Sequence, residues 1–395
     1  MTEKKPYIEN KCSVRIISPK TERRCFFGYY DLKAYDDSDR YHLCNIVEFE
    51  NRFPTSSDVM ELGVIDLDNG SYEKIDETTA WNFQQGAMLQ WSRAEKDVIY
   101  FNTFKDGEYL TIKKNVRTGE KSYAPVCANI SRDGKYGLKI NFSRIFDFRP
   151  GYGYCNIKDP YFDVAQPEND GVFLVDLEKG IEKLILSYPD MVKLLNMPEV
   201  EKSKFVVNHI TFNLSGDKFL LLLRNFPEEG SDAYGTALIV SDINGNARLI
   251  GGFEGGFSHY DWKSDNEVLF FARYKGVYDM YLINVDTIEW TLLYPTIFNG
   301  RNLHCLYSPD RRYMIGDTYA GKDGYRPLFF YDCKTKESDI LTKSLVPYGN
   351  GFDDLRTDLH NRFNTKGDKI SFDTIQNGKR EIAELDFAEY IKKRG

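Results

Sequence analysis

The chain has only five histidines in 395 residues. Its seven cysteines, Cys12, Cys25, Cys44, Cys127, Cys155, Cys305 and Cys333, are odd in number and contain no C-x-x-C pair. That excludes a zinc ribbon and a disulfide framework, and leaves small core-filling thiols suited to a reducing compartment. No apolar run approaches the roughly 18 residues that would mark a membrane span. The opening segment MTEKKPYIENK is charged and lacks the apolar core of a targeting signal. A cytoplasmic location with no membrane partner is therefore expected. An excess of basic residues is missing too: 52 Lys+Arg stand against 60 Asp+Glu, a net charge of −8. General nucleic-acid binding needs a basic footprint, so no nucleic-acid partner is expected. There is no G-x-S-x-G elbow for an α/β-hydrolase, and no organic cofactor is expected. The oligomeric state is left open.

Helical periodicity is nearly absent, and short runs of alternation take its place. Aromatic residues make up 15% of the chain, with 27 Tyr and 27 Phe. Such residues suit half-buried strands. A repeat emerges from them: an inner strand ending in an aromatic and a polar residue, a tight turn with Asp or Gly, then a second apolar strand. Clear copies are F-N-L-S-G-D-K-F-L-L-L-L from Phe212, W-K-S-D-N-E-V-L-F-F from Trp262, Y-S-P-D-R-R-Y-M-I-G-D from Tyr307 and F-N-T-K-G-D-K-I-S-F-D from Phe363. Earlier copies begin at Tyr35, Trp91 and Ile130, making seven. Third strands follow, such as G-V-I-D-L-D-N-G from Gly63 and L-V-D-L-E-K-G from Leu174, each ending in turn residues.

Spacings of roughly 40–50 residues fit four-stranded propeller blades. The expectation is an all-β, seven-bladed β-propeller formed by residues 1–395 as one domain, with insertions at about 145–171 and 188–205. The second insertion, Y-P-D-M-V-K-L-L-N-M, reads as a short surface helix. The N-terminal strand S-V-R-I-I-S, from Ser13, is expected to join the last blade beside I-A-E-L-D-F, from Ile382, and close the ring.

Four of the five histidines, His209, His259, His304 and His360, fall at one position of four consecutive repeats. The first strand of each propeller blade lines the central channel, so these imidazoles are expected to converge on one pocket. Histidine clusters bind divalent metals or move protons near neutral pH. Asp358 lies two residues before His360, and strand residues i and i+2 face the same way. His42 sits on a second strand and is read as structural or exposed. Other polar groups gather near the expected channel: Tyr30 and Asp31 in R-R-C-F-F-G-Y-Y-D, Gln85 in W-N-F-Q-Q-G-A-M-L-Q-W, Arg144 and Tyr152 in N-F-S-R-I-F-D-F-R-P-G-Y-G-Y, and Arg356 in R-T-D-L-H. Arginines there suit a carboxylate, which the guanidinium binds as a two-pronged fork.

The segments S-H-Y-D-W from Ser258, H-C-L-Y-S-P-D-R-R-Y-M-I-G-D from His304 and L-H-N-R-F-N-T-K-G-D-K-I-S-F-D from Leu359 resemble the oligogalacturonate lyase family. The resemblance covers roughly the last 140 residues, and its S-P-D-x-x-Y element also occurs in TolB-like propellers. It implies a propeller lyase that cleaves a uronate-containing saccharide by β-elimination, with a divalent metal, manganese, held by histidines and a glutamine. It implies His304 and His360 as ligands and His259 as an active-site histidine. Where the family carries Q-x-x-H-x-H, this chain reads L-R-T-D-L-H from Leu355, which places Asp358 where a second histidine is expected. The family's base is an arginine, for which Arg144 is the counterpart. On chemistry alone His209, His259 or Tyr152 is the better base, and Tyr30, Asp31, Gln85 and Arg356 are assigned to substrate. The competing readings are a non-catalytic carbohydrate- or protein-binding propeller and another carbohydrate-active enzyme on the same fold.

Overall fold

A computed structural model describes residues 5–228, 231, 233–293, 300–346, 354–376 and 378–394. Seven antiparallel sheets form a ring, a seven-bladed β-propeller. The inner strands, in order from blade 1 to blade 7, are Arg24–Phe26, Gln90–Trp91, Asn129–Ile130, Phe205–Phe212, Tyr260–Trp262, His304–Tyr307 and Arg362–Phe363. The repeat has a direct physical counterpart. In every blade the polar residue after the aromatic (Ile130 in blade 3) donates its backbone N–H across the turn: Asp36 to Tyr41, Ser92 to Val98, Ser131 to Tyr136, Asn213 to Lys218, Lys263 to Glu267, Ser308 to Tyr313 and Asn364 to Lys369. Side chains reinforce the turn. The Asn213 Oδ1 accepts from the N–H groups of Gly216, Asp217 and Lys218, and Asn364 does the same for Asp368 and Lys369. Asn, Asp and Ser recur there because their short side chains bond to nearby backbone.

Blade 4 shows why apolar runs form these strands. Its second strand, Lys218–Asn225, contains four consecutive leucines. Leu221 and Leu223 pack in the core shared with blades 1 to 3. Leu220 and Leu222 pack on Val268 and Phe270 of blade 5. A strand covered on both faces needs no polar alternation. Each fully buried leucine contributes about 1.5–3 kcal/mol relative to exposure.

The N-terminal strand Val14–Ile16 pairs with Lys379–Asp386 of blade 7, in the register Val14 to Leu385, Arg15 to Glu384 and Ile16 to Ala383. This closes the ring as expected. The pair Tyr7–Ile8 adds a fifth strand to blade 6, on Ser338–Leu345, which the repeat pattern does not show. Helix α1 (Phe142–Phe148) opens the first insertion, with Asn141 accepting from the Arg144 N–H as its cap. Helix α2 (Tyr188–Leu195) is the helix expected in the second, with a Ser187–Asp190 capping box. Its Tyr188, Met191, Val192 and Leu195 are buried, so one face belongs to the core. Helix α3 (Phe387–Arg394) packs Phe387 and Tyr390 under blades 6 and 7. No helix among the described residues is long and apolar enough to cross a membrane.

Candidate active site and metal centre

The four histidines meet at the axis. His304 lies 3.9 Å from His259 and 4.6 Å from His360, centroid to centroid. His209 stands on the other side of Tyr29, which stacks on it at 4.9 Å and touches His360 at 5.0 Å. Tyr30 lies 5.7 Å from His304. The Tyr29–Tyr30 pair from blade 1 thus plugs the centre of the ring. Gly28 lets the chain reach it: φ is +119°, and a Cβ there would meet the Gln85 backbone at 2.9 Å. The ring position itself is bent. His209 and His360 have φ of +62° and +42°, and the ladder of blade 4 shifts register between Asn208 and Ile210. A non-glycine residue held in the left-handed region costs energy that clusters at functional sites.

His304, Asp358 and His360 each present an atom to one point, and these atoms lie within 4.8 Å of one another. The Asp358 Oδ2 is 3.9 Å from the His304 Nε2 and 4.0 Å from the His360 Nε2. The two Nε2 atoms are buried and lack a hydrogen-bond partner, while the buried Asp358 Oδ2 has the Arg356 Nη2 at 2.9 Å. Their partners on the far side are in place. The His304 Nδ1–H faces the Asp317 Oδ2 at 3.2 Å, which turns Nε2 inward as a lone-pair donor. The Asp358 Oδ1 is gripped by Arg326 at 2.7 Å and by the Arg356 Nε at 3.1 Å. Burial alone would raise the Asp358 carboxyl, but Arg356, Arg326 and the two histidines hold it well below its ordinary value. Burial, with His304 next, depresses the imidazoles of His259 and His360 far below the ordinary histidine value. Burial and the nearby Arg224 and Arg149 do the same for His209. The three rings are neutral at pH 7, the form that accepts a proton or a metal. Two imidazoles with orphaned buried Nε2 atoms and a carboxylate make a donor set that fits a divalent cation.

Arginines crowd the same end of the pocket. The Arg356 Nη2 donates to the Tyr152 hydroxyl at 3.1 Å. Arg149 pairs with Asp354 at 2.6 Å and lies over the Tyr152 ring at 4.3 Å. Tyr152 stands edge-on to His209 at 5.3 Å. The His259 Nδ1 bonds to Asn302 at 2.8 Å. A groove of about 500 Å³ between blades 7 and 1 opens beside Arg356, lined by Arg24, Phe49, Glu50 and Ile375 among others. A groove of about 650 Å³ between blades 2 and 3 contains none of the cluster residues.

The structure brings His209, His259, His304, Asp358, His360, Tyr30, Tyr152 and Arg356 together. It places the other expected residues differently. Arg144 is fully buried and turned into the first insertion. Its guanidinium is spent on the carbonyls of Phe205, Tyr161, Val164 and Ala165 and on Asp159 at 3.1 Å. It is a clamp for the loop after α1, and no N–H is left for a substrate. Tyr30, Asp31 and Gln85 surround, with one edge of His209, a cavity of about 20 Å³. That is room for a water and not for a sugar ring. Burial and the neighbouring Asp261 raise the Asp31 carboxyl to about 7. His42 is structural: fully buried, its ring nitrogens bond to the Leu43 carbonyl at 2.6 Å and to Ser371 at 3.0 Å.

Sequence reasoning missed Asp317, Arg326, Arg224 and Tyr29 as site residues. Asp317 has a readable signal, because it lies directly opposite His304 in the ladder of blade 6. Its equivalent in the next copy, Asp373, accepts the backbone N–H groups of Phe27 and Gly28 in blade 1. Asp317 likewise accepts from Leu359 of blade 7. These aspartates stitch each blade to the entrance of the next.

No family model matches the chain, and no curated protein matches it. Solved structures do. An oligogalacturonate lyase in complex with manganese aligns at a TM-score of 0.67 and 16% identity, over 97% of this chain and 95% of that one. An oligogalacturonate lyase from Vibrio parahaemolyticus aligns at 0.66 and 15% identity, over 97% and 96%. The β-propeller domain of a Trilobed protease from Pyrococcus furiosus aligns at 0.51 and 10% identity, over 91% and 96%. At these identities the likeness is one of fold: the chain shares the seven-bladed architecture of the oligogalacturonate lyases across nearly its whole length.

Proposed function

We propose that the histidine ring is the active centre of a lyase that cleaves a uronate-containing oligo- or polysaccharide by β-elimination. The observation that carries this reading is the convergence of three buried ligand atoms beside Arg356: the His304 Nε2 and His360 Nε2, both without a hydrogen-bond partner, and a carboxylate oxygen of Asp358. Elimination removes the proton on C5 of a uronate and expels the oxygen on C4. It needs a positive site for the carboxylate, whose charge builds up as the proton leaves, together with a base and a proton donor. A divalent cation, manganese by likeness to the complex named above, would be held by His304, His360 and Asp358 and would neutralise that carboxylate as a Lewis acid.

The chain's own groups supply the rest. His209 is the base: its ring is neutral, and its Nδ1 has no partner. Its Nε2 lies 3.3 Å from the Tyr29 hydroxyl, and in the tautomer that donates Nε2–H to that oxygen the Nδ1 lone pair is free to take a proton. The C5 proton moves to the His209 Nδ1. The C5–H electron pair becomes the C4=C5 double bond, and the C4–O bond breaks. Tyr152 gives its hydroxyl proton to the departing oxygen. Its own oxygen accepts from Arg356, whose positive charge steadies the phenolate left behind. The imidazolium at His209 and the phenolate at Tyr152 then return to neutral through water. His259 lines the same space, positioned by Asn302.

The test is incubation with a panel of oligouronates, with and without Mn²⁺, following the ultraviolet absorbance of the conjugated unsaturated product. A rising signal that His304→Ala abolishes is expected. No signal across the panel sinks the lyase reading and favours a binding propeller.

A further inference from the structure

The far end of the central channel holds a second cluster of charged residues, which the chemistry above does not use. Gln90, Thr211 and Asp261 each lie two residues beyond their ring positions, Met88, His209 and His259. At about 3.3 Å per strand residue, that is roughly 7 Å deeper along the axis. There they line a cavity of about 60 Å³ with Asp31, Arg93, Asn129 and Arg132. None of the four ring histidines lines it. Arg93 and Arg132 come from the tight turns after the inner strands of blades 2 and 3, and both are exposed to solvent.

The charges of this cavity are unevenly matched. Asp261 is satisfied: its Oδ2 accepts from the Tyr307 N–H at 2.8 Å and faces Arg311 of blade 6 at 3.5 Å. Arg93 and Arg132 have no carboxylate within ion-pair distance among the described residues. The Arg93 guanidinium donates to the Asp31 carbonyl at 3.3 Å. The arginines also repel one another. Partial loss of solvent inside the ring, then Arg132, pulls Arg93 down to about 10, and the same loss, then Arg311, lowers Arg132. Asp31 closes the inner side. Its Oδ1 is buried without a partner, and its carboxyl, raised to about 7, carries a proton it can donate. A recess lined by one sign of charge draws in ions of the other, and an orphaned buried polar atom marks a partner still to come. A carboxylate offers two oxygens in one plane. A tetrahedral oxyanion offers them to two guanidinium groups on one side and to Asp31 on the other. About 60 Å³ is room for roughly two waters or one such ion.

We propose that the far mouth of the channel is a site for a tetrahedral oxyanion, a sulfate or phosphate group, held by Arg93 and Arg132 with Asp31 as the hydrogen-bond donor behind it. The site stands or falls apart from the saccharide reading. Asp31 donates only with its proton on, so a bound oxyanion takes one up, and binding tightens as pH falls through about 7 and weakens as it rises. The charged groups that face Asp31 are Asp261 and Arg93. Tyr29, Tyr30, Tyr260 and His209 surround the smaller cavity that it also lines.

The experiment is calorimetric titration of the full chain with sodium sulfate, in chelator and at an ionic strength held constant with chloride. Sulfate keeps its charge across neutral pH, so any pH dependence belongs to the protein. Binding with proton uptake is expected, the uptake read by repeating the titration in buffers of different ionisation heat. Replacing both arginines, Arg93→Gln with Arg132→Gln, is expected to weaken binding ~10-fold or more. Both sit in exposed turns without an ion pair, so the melting temperature of that variant stays at the wild-type value. Asp31→Asn is expected to keep binding, because the amide still donates, and to lose the proton uptake. Titration with inorganic phosphate and methyl phosphate tells a free ion from the end of a phosphoester. Sulfate that binds no better than chloride overturns the site. So does undiminished binding by the double variant, and its loss in Arg356→Gln then places the ion at the histidine centre. Should the double variant melt early, Asp31→Asn decides: proton uptake that persists in it overturns the site.

Discussion

Blades 4 to 7 and blades 1 to 3 fill the same ring position with opposite chemistry. Three residues before the residue that opens each turn repeat (Tyr35, Trp91, Ile130, Phe212, Trp262, Tyr307 or Phe363), the last four blades carry His209, His259, His304 and His360. The first three carry Leu32, Met88 and Cys127, all buried. A bent backbone occurs on both sides of this divide. Met88 has φ of +56°, beside +62° at His209 and +42° at His360. The bend is therefore not tied to the imidazole, and the reactive half of the ring is a choice of side chain. Blade 1 then fills the middle with Tyr29 and Tyr30, so that one half of the ring supplies acceptors and the other a dry wall against them.

That contrast can be broken or sharpened by substitution. The largest effect is expected from His209→Met, which gives blade 4 the residue of blade 2. Loss of the base should slow elimination by roughly 10²–10⁴-fold, while thermal melting stays near wild type. A variant that unfolds instead shows that the imidazole supports the ring. Next comes the clamp in blade 3. Arg144→Ala leaves Asp159 buried and unpaired, and is expected to cost about 3–5 kcal/mol in urea unfolding. A loss under 1 kcal/mol would contradict the clamp described above. Third, Asp317→Asn should weaken Mn²⁺ binding about 10–100-fold, because the carboxylate orients the His304 ring; isothermal titration with the ion reads this directly. An unchanged affinity would place the ion elsewhere.

The smallest effect concerns the fifth histidine, which lies outside the ring. Burial, then Arg362, lowers His42 from 6.5 to about 3. Between about 3 and 6.5 the unfolded chain binds a proton at this site that the folded chain refuses, so stability rises with pH across that window and falls as pH drops through it. His42→Gln should flatten the slope of denaturation midpoint against pH between those limits. An identical slope in the variant rules out His42 as its source.

The blades were legible because two local rules repeat: short apolar runs that suit a strand covered by its neighbours, and a polar residue that folds the turn after it. The ring position was legible for the same reason, since a residue at a fixed offset from that turn must recur around the axis. What could not be read depends on where a side chain turns. Arg144 and Arg224 look equivalent as letters near the channel. One points into the loop after α1, where five acceptors await it, and the other points toward His209 with an edge left bare. Asp358 was legible as a neighbour of His360, but its grip by Arg326 was not, because Arg326 comes from the third strand of blade 6. Tyr30, Asp31 and Gln85 were drawn to the axis, where they line a cavity of about 20 Å³. Sequence offsets locate a residue around the ring but not its depth along the axis.

Ring closure by Val14–Ile16 has a kinetic consequence. Val14 meets Leu385 and Ile16 meets Ala383, so the contact that completes blade 7 spans almost the whole chain. Contacts of such long range form late and slowly. Asp358 and His360 belong to that last blade, and Tyr29 and Tyr30 follow shortly after the closing strand. During synthesis the reactive centre therefore stays unassembled until the two ends of the propeller meet, and a half-made ring carries none of the chemistry of the finished one.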